Sequence, residues 1–252
     1  MSSRPGAKPI VPLQDVLLRI REDMRSRTSG PYLYIGMPDV GRVRCLIIGY
    51  AECLRAFGVE EGADDLFGEW LFCVKKAFPG QGWEQACLEE FHGDHQRALL
   101  KYLDFLAEFR ALPAEALASI PWDFEAEHPS ARVPSLTPVY PPQPMLDMLL
   151  EVRRVMGDVR RRLGLFIGDI DVKRMVGFID GYRLCLALAG ARDEEYPRFE
   201  RWLQEGKGVP PGQDWTLPLL QACQGDAEQA IRRLLEYVVE FRSRGRSAPG
   251  AE

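Results

Sequence analysis

Apolar residues recur at helical spacing through most of the chain. Leu13, Val16, Leu17, Ile20 and Met24 are three or four positions apart, so they lie on one face of an amphipathic helix. Only the short segments YLYIG and LFIG have strand character. The pattern therefore predicts an all-α protein, and the same spacing predicts further helices over residues 40–57, 67–74, 83–91 and 95–109 and again from residue 146 onwards.

The chain also contains an internal repeat. Residues 17–110 align with residues 149–242 at a constant offset of 132, with 32 identities in 94 positions and no gap. The identities include rare residue types, such as the pair Trp70 and Trp202. Because chance does not place so many tryptophans and glycines in register, we predict a tandem duplication of a five-helix module.

The repeat predicts the domain organisation. Copy 1 is expected over 12–110 and copy 2 over 147–242, packed as a pseudo-two-fold pair because like surfaces readily associate. The segment 111–146 holds eight prolines, which block helix interiors, so it is predicted to be an extended linker. Its apolar residues indicate that it lies along the modules. The polar ends, 1–11 and 243–252, are expected to be flexible tails.

Four repeated aspartates stand where helices are predicted to begin. Asp39 and Asp171 precede one pair of helices, and Asp94 and Asp226 precede another. A short carboxylate accepts hydrogen bonds from the free amides of a first turn, so we predict N-caps at all four positions. Asp226 together with Gln229 fits a capping box.

Repeated glycines and tryptophans predict packing rather than chemistry. Gly49 and Gly181 lie in the middle of predicted helices, where glycine is costly, so a close approach of two helices is expected there. The tryptophans that lie on apolar faces are expected in the core: Trp70, Trp83, Trp202 and Trp215.

Composition and charge exclude several classes of function. With 32 Lys and Arg against 37 Asp and Glu, the net charge is −5, which argues against general nucleic-acid binding. No apolar stretch approaches the roughly 20 residues of a membrane helix, and the N-terminus lacks the apolar core of a signal peptide. We therefore expect a cytoplasmic protein that does not bind membranes.

The metal-binding and thiol residues do not form recognisable sites. None of the six cysteines belongs to a CxxC pair, so they are interpreted as buried free thiols. His92 and His95 form an HxxH sequence, but Gly93 and Asp94 interrupt it with a helix-start signal. We predict no metal site and no cofactor.

One short segment resembles an ATPase. The sequence VRRRLGLFIGD at 159–169 resembles the RKRPGMYIGD segment of the DNA gyrase B-subunit ATPase domain. That fold also needs an acidic helix with Asn, a DxGxG site and a Gly-rich lid, and these patterns are not found here. Phosphate-loop, nucleophile-elbow and zinc-protease motifs are likewise missing, so we predict that the protein is not an enzyme.

A second resemblance covers both repeats. Each has an arginine-containing helix, an aromatic-Ile-Gly segment, a helix with Gly-Tyr, an F-x-x-W-L sequence, a tryptophan after a turn and a last helix ending in Glu-Phe. This order resembles a loosely defined group of uncharacterised bacterial helical proteins that are similar to toxin-associated immunity proteins. The resemblance implies a helical protein that binds and masks a toxic partner, and it implies no catalytic residues.

We therefore predict a protein-binding protein of the immunity or antitoxin type with a basic partner. Acidic residues steer such partners, and the candidate contact residues concentrate in the loop after the second helix: Glu60, Glu61, Asp64 and Asp65. Acids also occur at the equivalent place of copy 2: Asp193, Glu194 and Glu195. Three other interpretations stay open: a solvated loop without a partner, a regulatory or scaffold adaptor built from the pseudo-dimer, and an enzyme with a cleft between the modules.

Overall fold

The prediction of an all-α protein is confirmed in a computed structural model. The structure describes residues 9–26, 37–59, 63–77, 82–120, 136–158 and 167–246. Within these ranges the chain forms eleven helices and no β-strand. They are α1 Leu13–Ser26, α2 Val40–Ala56, α3 Ala63–Cys73, α4 Gly82–Glu90, α5 His95–Arg110, α6 Ala114–Ala118, α7 Met145–Asp158, α8 Val172–Leu188, α9 Glu195–Gly206, α10 Thr216–Ala222 and α11 Ala227–Arg246.

Helix positions follow the offset of 132 residues. Helices α7 and α8 begin and end 132 residues after α1 and α2, while α9 and α11 begin 132 residues after α3 and α5. Helix α10 begins two residues later than the offset from α4 requires and ends in register with it. The N-terminal half (9–120) and the C-terminal half (136–246) therefore list the same five helices in the same order, and α6 is additional.

The predicted N-caps are confirmed by their hydrogen bonds. Asp39 Oδ1 accepts from Arg42 N at 3.0 Å and Asp171 Oδ1 accepts from Lys173 N at 2.7 Å. At α11, Asp226 Oδ1 accepts from the Gln229 amide at 2.9 Å, and the two side chains are also bonded. Asp94 makes the matching bond at α5, so these carboxylates are first of all structural.

Helices α2 and α8 form the centre of the protein and run parallel. Their N-caps, Asp39 and Asp171, border the same pocket. At the other end Cys53 and Cys185 are in contact, and burial together with that hydrogen bond raises the pKa of the Cys53 thiol. Small residues line this contact, which lets the two backbones approach closely.

The close approach predicted at the mid-helix glycines is confirmed. A Cβ added to Gly49 would lie 2.0 Å from Phe178 O, and one added to Gly181 would lie 2.0 Å from Leu46 O. A Cβ at Gly177 would lie 2.1 Å from another backbone oxygen of α2. Since side chains never come that near to a carbonyl oxygen, glycine is required at these positions.

The linker and the tails are more ordered than predicted. Helix α6 occupies five residues of the segment expected to be extended, because its prolines are sparse before residue 121. Ile10 is buried in the expected N-terminal tail, and its amide donates to Leu136 O at 2.8 Å. Helix α7 begins two residues before the predicted boundary at 147, and α11 continues four residues beyond 242. The described end of the linker lies on the helices as expected, since Val139 N donates to Phe57 O at 2.8 Å.

The tryptophans divide between the core and its edge. Trp70 and Trp215 are buried, as predicted. Trp83 and Trp202 are only half-buried, because each packs one face against aromatic neighbours and leaves an edge towards solvent. Lys207 Nζ lies 4.9 Å from the Trp202 ring and covers part of it.

Candidate functional site

The acidic loop predicted to bind a partner falls largely outside the described residues. Glu60 and Glu61 lie in the gap between α2 and α3. Asp64 and Asp65 are in the first turn of α3, but their side chains are outside the described part of the chain. The proposed role of these four carboxylates stays a prediction.

Two of the three acids in the C-terminal half are engaged internally, which corrects their interpretation as a partner-facing cluster. Asp193 Oδ2 accepts from Met145 N at 3.0 Å, and its Oδ1 accepts from Tyr196 N at 3.3 Å. Glu195 lies 2.7 Å from the Arg242 guanidinium. Helix amides and an arginine satisfy these carboxylates, so only Glu194 is left exposed.

A polar pocket of about 650 Å³ opens where α2 and α8 begin. Sequence reasoning did not predict it. Both halves contribute to its wall, and α4 and α5 close it on one side. Its lining residues are Asp39, Val40, Gly41, Arg44, Glu84, Gln85, Leu88 and His95 from the N-terminal half and Asp169, Ile170, Asp171 and Arg174 from the C-terminal half.

A buried carboxylate holds the base of this pocket together. Glu84 is 5% exposed and accepts from Arg44 Nη1 and from Arg174 Nη2, each at 2.7 Å. Burial raises the pKa of the Glu84 carboxyl, and the charges of the two guanidinium groups offset only part of that shift. Because Arg44 and Glu84 belong to one half and Arg174 to the other, the network ties the halves together.

Two glycines make room for the Arg174 side chain. A Cβ at Gly41 would lie 3.1 Å from Arg174 Nε, and one at Gly168 would lie 3.1 Å from Nη1. Gly168 also has a φ of +68°, which other residues adopt only with strain. Arg174 Nη1 donates to Ile167 O at 3.2 Å, so the guanidinium is held from several sides.

Groups at the base are poorly suited to nucleophilic or acid–base chemistry. Burial raises the pKa of the Cys45 thiol to about 12, so it stays protonated at neutral pH. The amide of Val40 donates to His95 Nδ1 at 3.3 Å, which requires that nitrogen to be unprotonated. Among the described residues, no group of three Cys, His, Asp or Glu side chains is placed to hold a metal ion.

The rim, by contrast, exposes both charged and apolar groups. The Asp169 side chain is 92% exposed and that of Arg44 is 45% exposed. Ile170 lines the opening and is 36% exposed, and Met37, two residues before the N-cap of α2, is 68% exposed. The pocket can therefore contact charges of either sign and an apolar surface at once.

The charged pocket has no counterpart at the equivalent place of the other half. Residues 132 positions after Arg44, Glu84 and His95 are Val176, Thr216 and Ala227. The counterpart of Arg174 is Arg42, whose Nη2 instead donates to Asp180 Oδ2 at 2.7 Å. These departures from an otherwise matching repeat are the sequence signal that could have located the site.

Buried carboxyls predict that stability rises on mild acidification. Burial raises the pKa values of Glu84, Asp180 and Glu200 above their model values of 4.5, 3.8 and 4.5. The folded state therefore binds more protons than the unfolded state between those values and the raised ones. This contribution is full below the unfolded pKa values and is lost as pH rises through the folded ones.

We accordingly expect the melting temperature to rise by a few degrees from about pH 7 to about pH 5. Thermal unfolding followed by circular dichroism across this range measures the effect. Glu84→Gln should make the rise smaller because it removes one of the titrating groups. A melting temperature that falls steadily over the same range would contradict the prediction.

Comparison with protein-family models, with curated proteins and with solved structures finds no match to this chain. None of the described helices is long and apolar enough to cross a membrane.

Proposed function

We infer that the chain is a tandem duplication of one five-helix unit, packed about an approximate two-fold axis that runs along α2 and α8. Reciprocal contacts support this inference. Gly49 meets Phe178 as Gly181 meets Leu46, and in both pairs the residues exchange roles at the offset of 132. In the flanks, Arg110 Nη2 donates to Asp15 Oδ1 at 2.7 Å, while the residues 132 positions later make the same bond at 2.8 Å.

We further propose that the protein acts by binding another protein, in the manner of an immunity protein or antitoxin that masks a toxic partner. The observation that carries this proposal is the mixed rim of the charged pocket, present at only one of the two equivalent places. Protein interfaces combine apolar anchors with surrounding polar groups, and Met37 and Ile170 beside Asp169 and Arg44 have this composition.

The base of the pocket favours binding because it is already ordered. Glu84 and Arg174 are held by several partners each, so little side-chain freedom remains to be lost on association. The net charge of −5 and the exposed Asp169 carboxylate favour a basic partner, which electrostatic attraction would steer. Six free cysteines are compatible with the reducing cytoplasm, where we place the protein.

Reversing the charge at the rim should slow association with such a partner. For Asp169→Arg we expect the association rate to fall roughly tenfold at low salt and the difference to shrink at high salt, because screening removes the attraction. The measurement is surface plasmon resonance against the product of the neighbouring gene. Reversal of Glu60, Glu61, Asp64 and Asp65 together tests the acidic loop in the same way.

The matched control is Glu115→Arg, which makes the same charge change on exposed α6. It should leave the rate nearly unchanged if the rim rather than net charge steers the partner. Equal effects of Asp169→Arg and Glu115→Arg would remove the pocket rim from the interface.

A second candidate function uses the same pocket for a small charged ligand, as an enzyme or adaptor with a cleft between the modules would. It is favoured by the volume of about 650 Å³ and by the buried Glu84 carboxyl at the base. A small molecule bound in crystals of the purified protein, with contacts to Arg44 and Glu84, would support it over protein binding.

A further inference from the structure

A second, apolar pocket lies inside the N-terminal half, away from the charged one. It has a volume of about 150 Å³ and is enclosed between α1, α2, α3, α4 and α5. Phe67, Trp83 and Tyr102 form an aromatic wall, and Ile47 and Leu106 contribute aliphatic surface. The wall is well ordered, since Trp83 stacks on Tyr102 with ring centroids 3.9 Å apart and Phe67 meets Tyr102 edge-on at 5.6 Å.

Polar groups near this pocket are engaged or point elsewhere. Gln14 borders it and is fully buried, and its Oε1 accepts from Arg110 Nη1 at 3.3 Å. The remaining described lining is apolar apart from the Tyr102 hydroxyl. A polar or charged ligand would therefore lose its hydration without compensation.

The mouth of the pocket is at Gly68, in the middle of α3. A Cβ added to this exposed glycine would meet nothing within 4 Å, so the space above it is open. Nothing in helix geometry requires glycine there, since it lacks the positive φ of a turn position. Glycine in a helix interior costs about 1 kcal/mol relative to alanine, and the open pocket is what this position provides in return.

The C-terminal half fills the equivalent space. Glu200 stands 132 residues after Gly68, and Leu146 and Leu234 replace Gln14 and Tyr102. Trp215 is 4% exposed, whereas its counterpart Trp83 is only half-buried. The cavity is thus a property of one half and not a packing defect common to both.

We propose that this pocket binds a small apolar molecule with about the bulk of one aromatic ring. Apolar cavities of about 150 Å³ lined by aliphatic and aromatic side chains stay dry and take up benzene or xenon. The edge-on arrangement of Phe67 and Tyr102 gives an incoming ring both a face and an edge to contact. The ligand class is therefore a neutral aromatic or compact aliphatic compound that enters past Gly68.

Benzene titration of the full chain, followed by thermal unfolding, tests the proposal. Binding to the folded state alone should raise the melting temperature by a few degrees at saturating benzene. Gly68→Leu should abolish the increase by placing a side chain in the pocket mouth. Gly68→Glu, which copies the residue of the C-terminal half, is the second blocking variant should leucine disturb folding.

Gly206→Leu is the matched control, because Gly206 is also exposed and helical with nothing within 4 Å of an added Cβ. It should keep the full benzene response. In crystals pressurised with xenon, density should occupy the space between Phe67 and Trp83 in the unsubstituted protein and be lost in Gly68→Leu. No response to benzene, or an equal response in the blocked and unblocked proteins, would overturn the proposal.

Discussion

Gly49→Ala and Gly181→Ala should each lower the free energy of unfolding by about 3 kcal/mol, the upper end of the usual cost of overpacking. In both cases the new methyl group would lie 2.0 Å from a backbone carbonyl oxygen of the facing helix, so α2 and α8 would have to separate. A backbone oxygen cannot turn away as a flexible side chain can. Urea unfolding followed by fluorescence measures the loss.

The comparison of the two substitutions also tests the inferred two-fold arrangement. Because the contacts of Gly49 and Gly181 are reciprocal, their effects should agree within experimental error. Gly68→Ala is the control for helix propensity, since its Cβ would meet nothing within 4 Å, and it should stabilise by up to about 1 kcal/mol. A large loss at Gly49 with none at Gly181 would argue against equivalent packing.

The helices could be predicted from the sequence because their patterns are local. Leu13, Val16, Leu17 and Ile20 are all buried on one face of α1, as helical spacing requires. Asp39 caps α2 because a short carboxylate reaches its own first turn, which depends on few other residues. Where local rules failed, as at Val74, the helix ended one residue earlier and left the side chain 46% exposed.

The charged pocket could not be predicted because it depends on residues far apart in the chain. Glu84 and Arg174 are separated by 90 positions and meet only because α2 and α8 run parallel. Neither residue belongs to a recognisable motif. The acidic loop stood out more clearly in the sequence, since Glu60, Glu61, Asp64 and Asp65 are neighbours, yet proximity in sequence says nothing about what they face.

The apolar pocket escaped prediction for a related reason. A repeat alignment rewards identities, whereas this cavity arises from a difference, namely Gly68 opposite Glu200. The same holds for Glu84 opposite Thr216 in the charged pocket. In a duplicated protein, core positions that agree between the halves maintain the fold, and positions that differ are the better candidates for function.

Glu84→Gln should destabilise the protein by about 3–5 kcal/mol at neutral pH, as expected when one partner of a buried ion pair is removed. The substitution keeps the size of the side chain but leaves Arg174, whose side chain is 15% exposed, without its best partner. Arg44 is 45% exposed and can turn to water, so most of the cost should come from Arg174. Urea unfolding at about pH 7, above the raised pKa of Glu84, gives the value.

The C-terminal half supplies a second variant that separates charge from packing. Glu84→Thr combined with Arg44→Val installs the residues found at Thr216 and Val176. If Arg174 dominates the cost, the double variant should stay nearly as unstable as Glu84→Thr alone, whereas a full recovery would place the cost at Arg44. Glu228→Gln, which breaks an exposed pair with Arg232 at 2.7 Å, is the control and should change stability by less than about 0.5 kcal/mol. A loss at Glu84 no larger than at Glu228 would mean that the network at the base of the pocket does not hold the halves together.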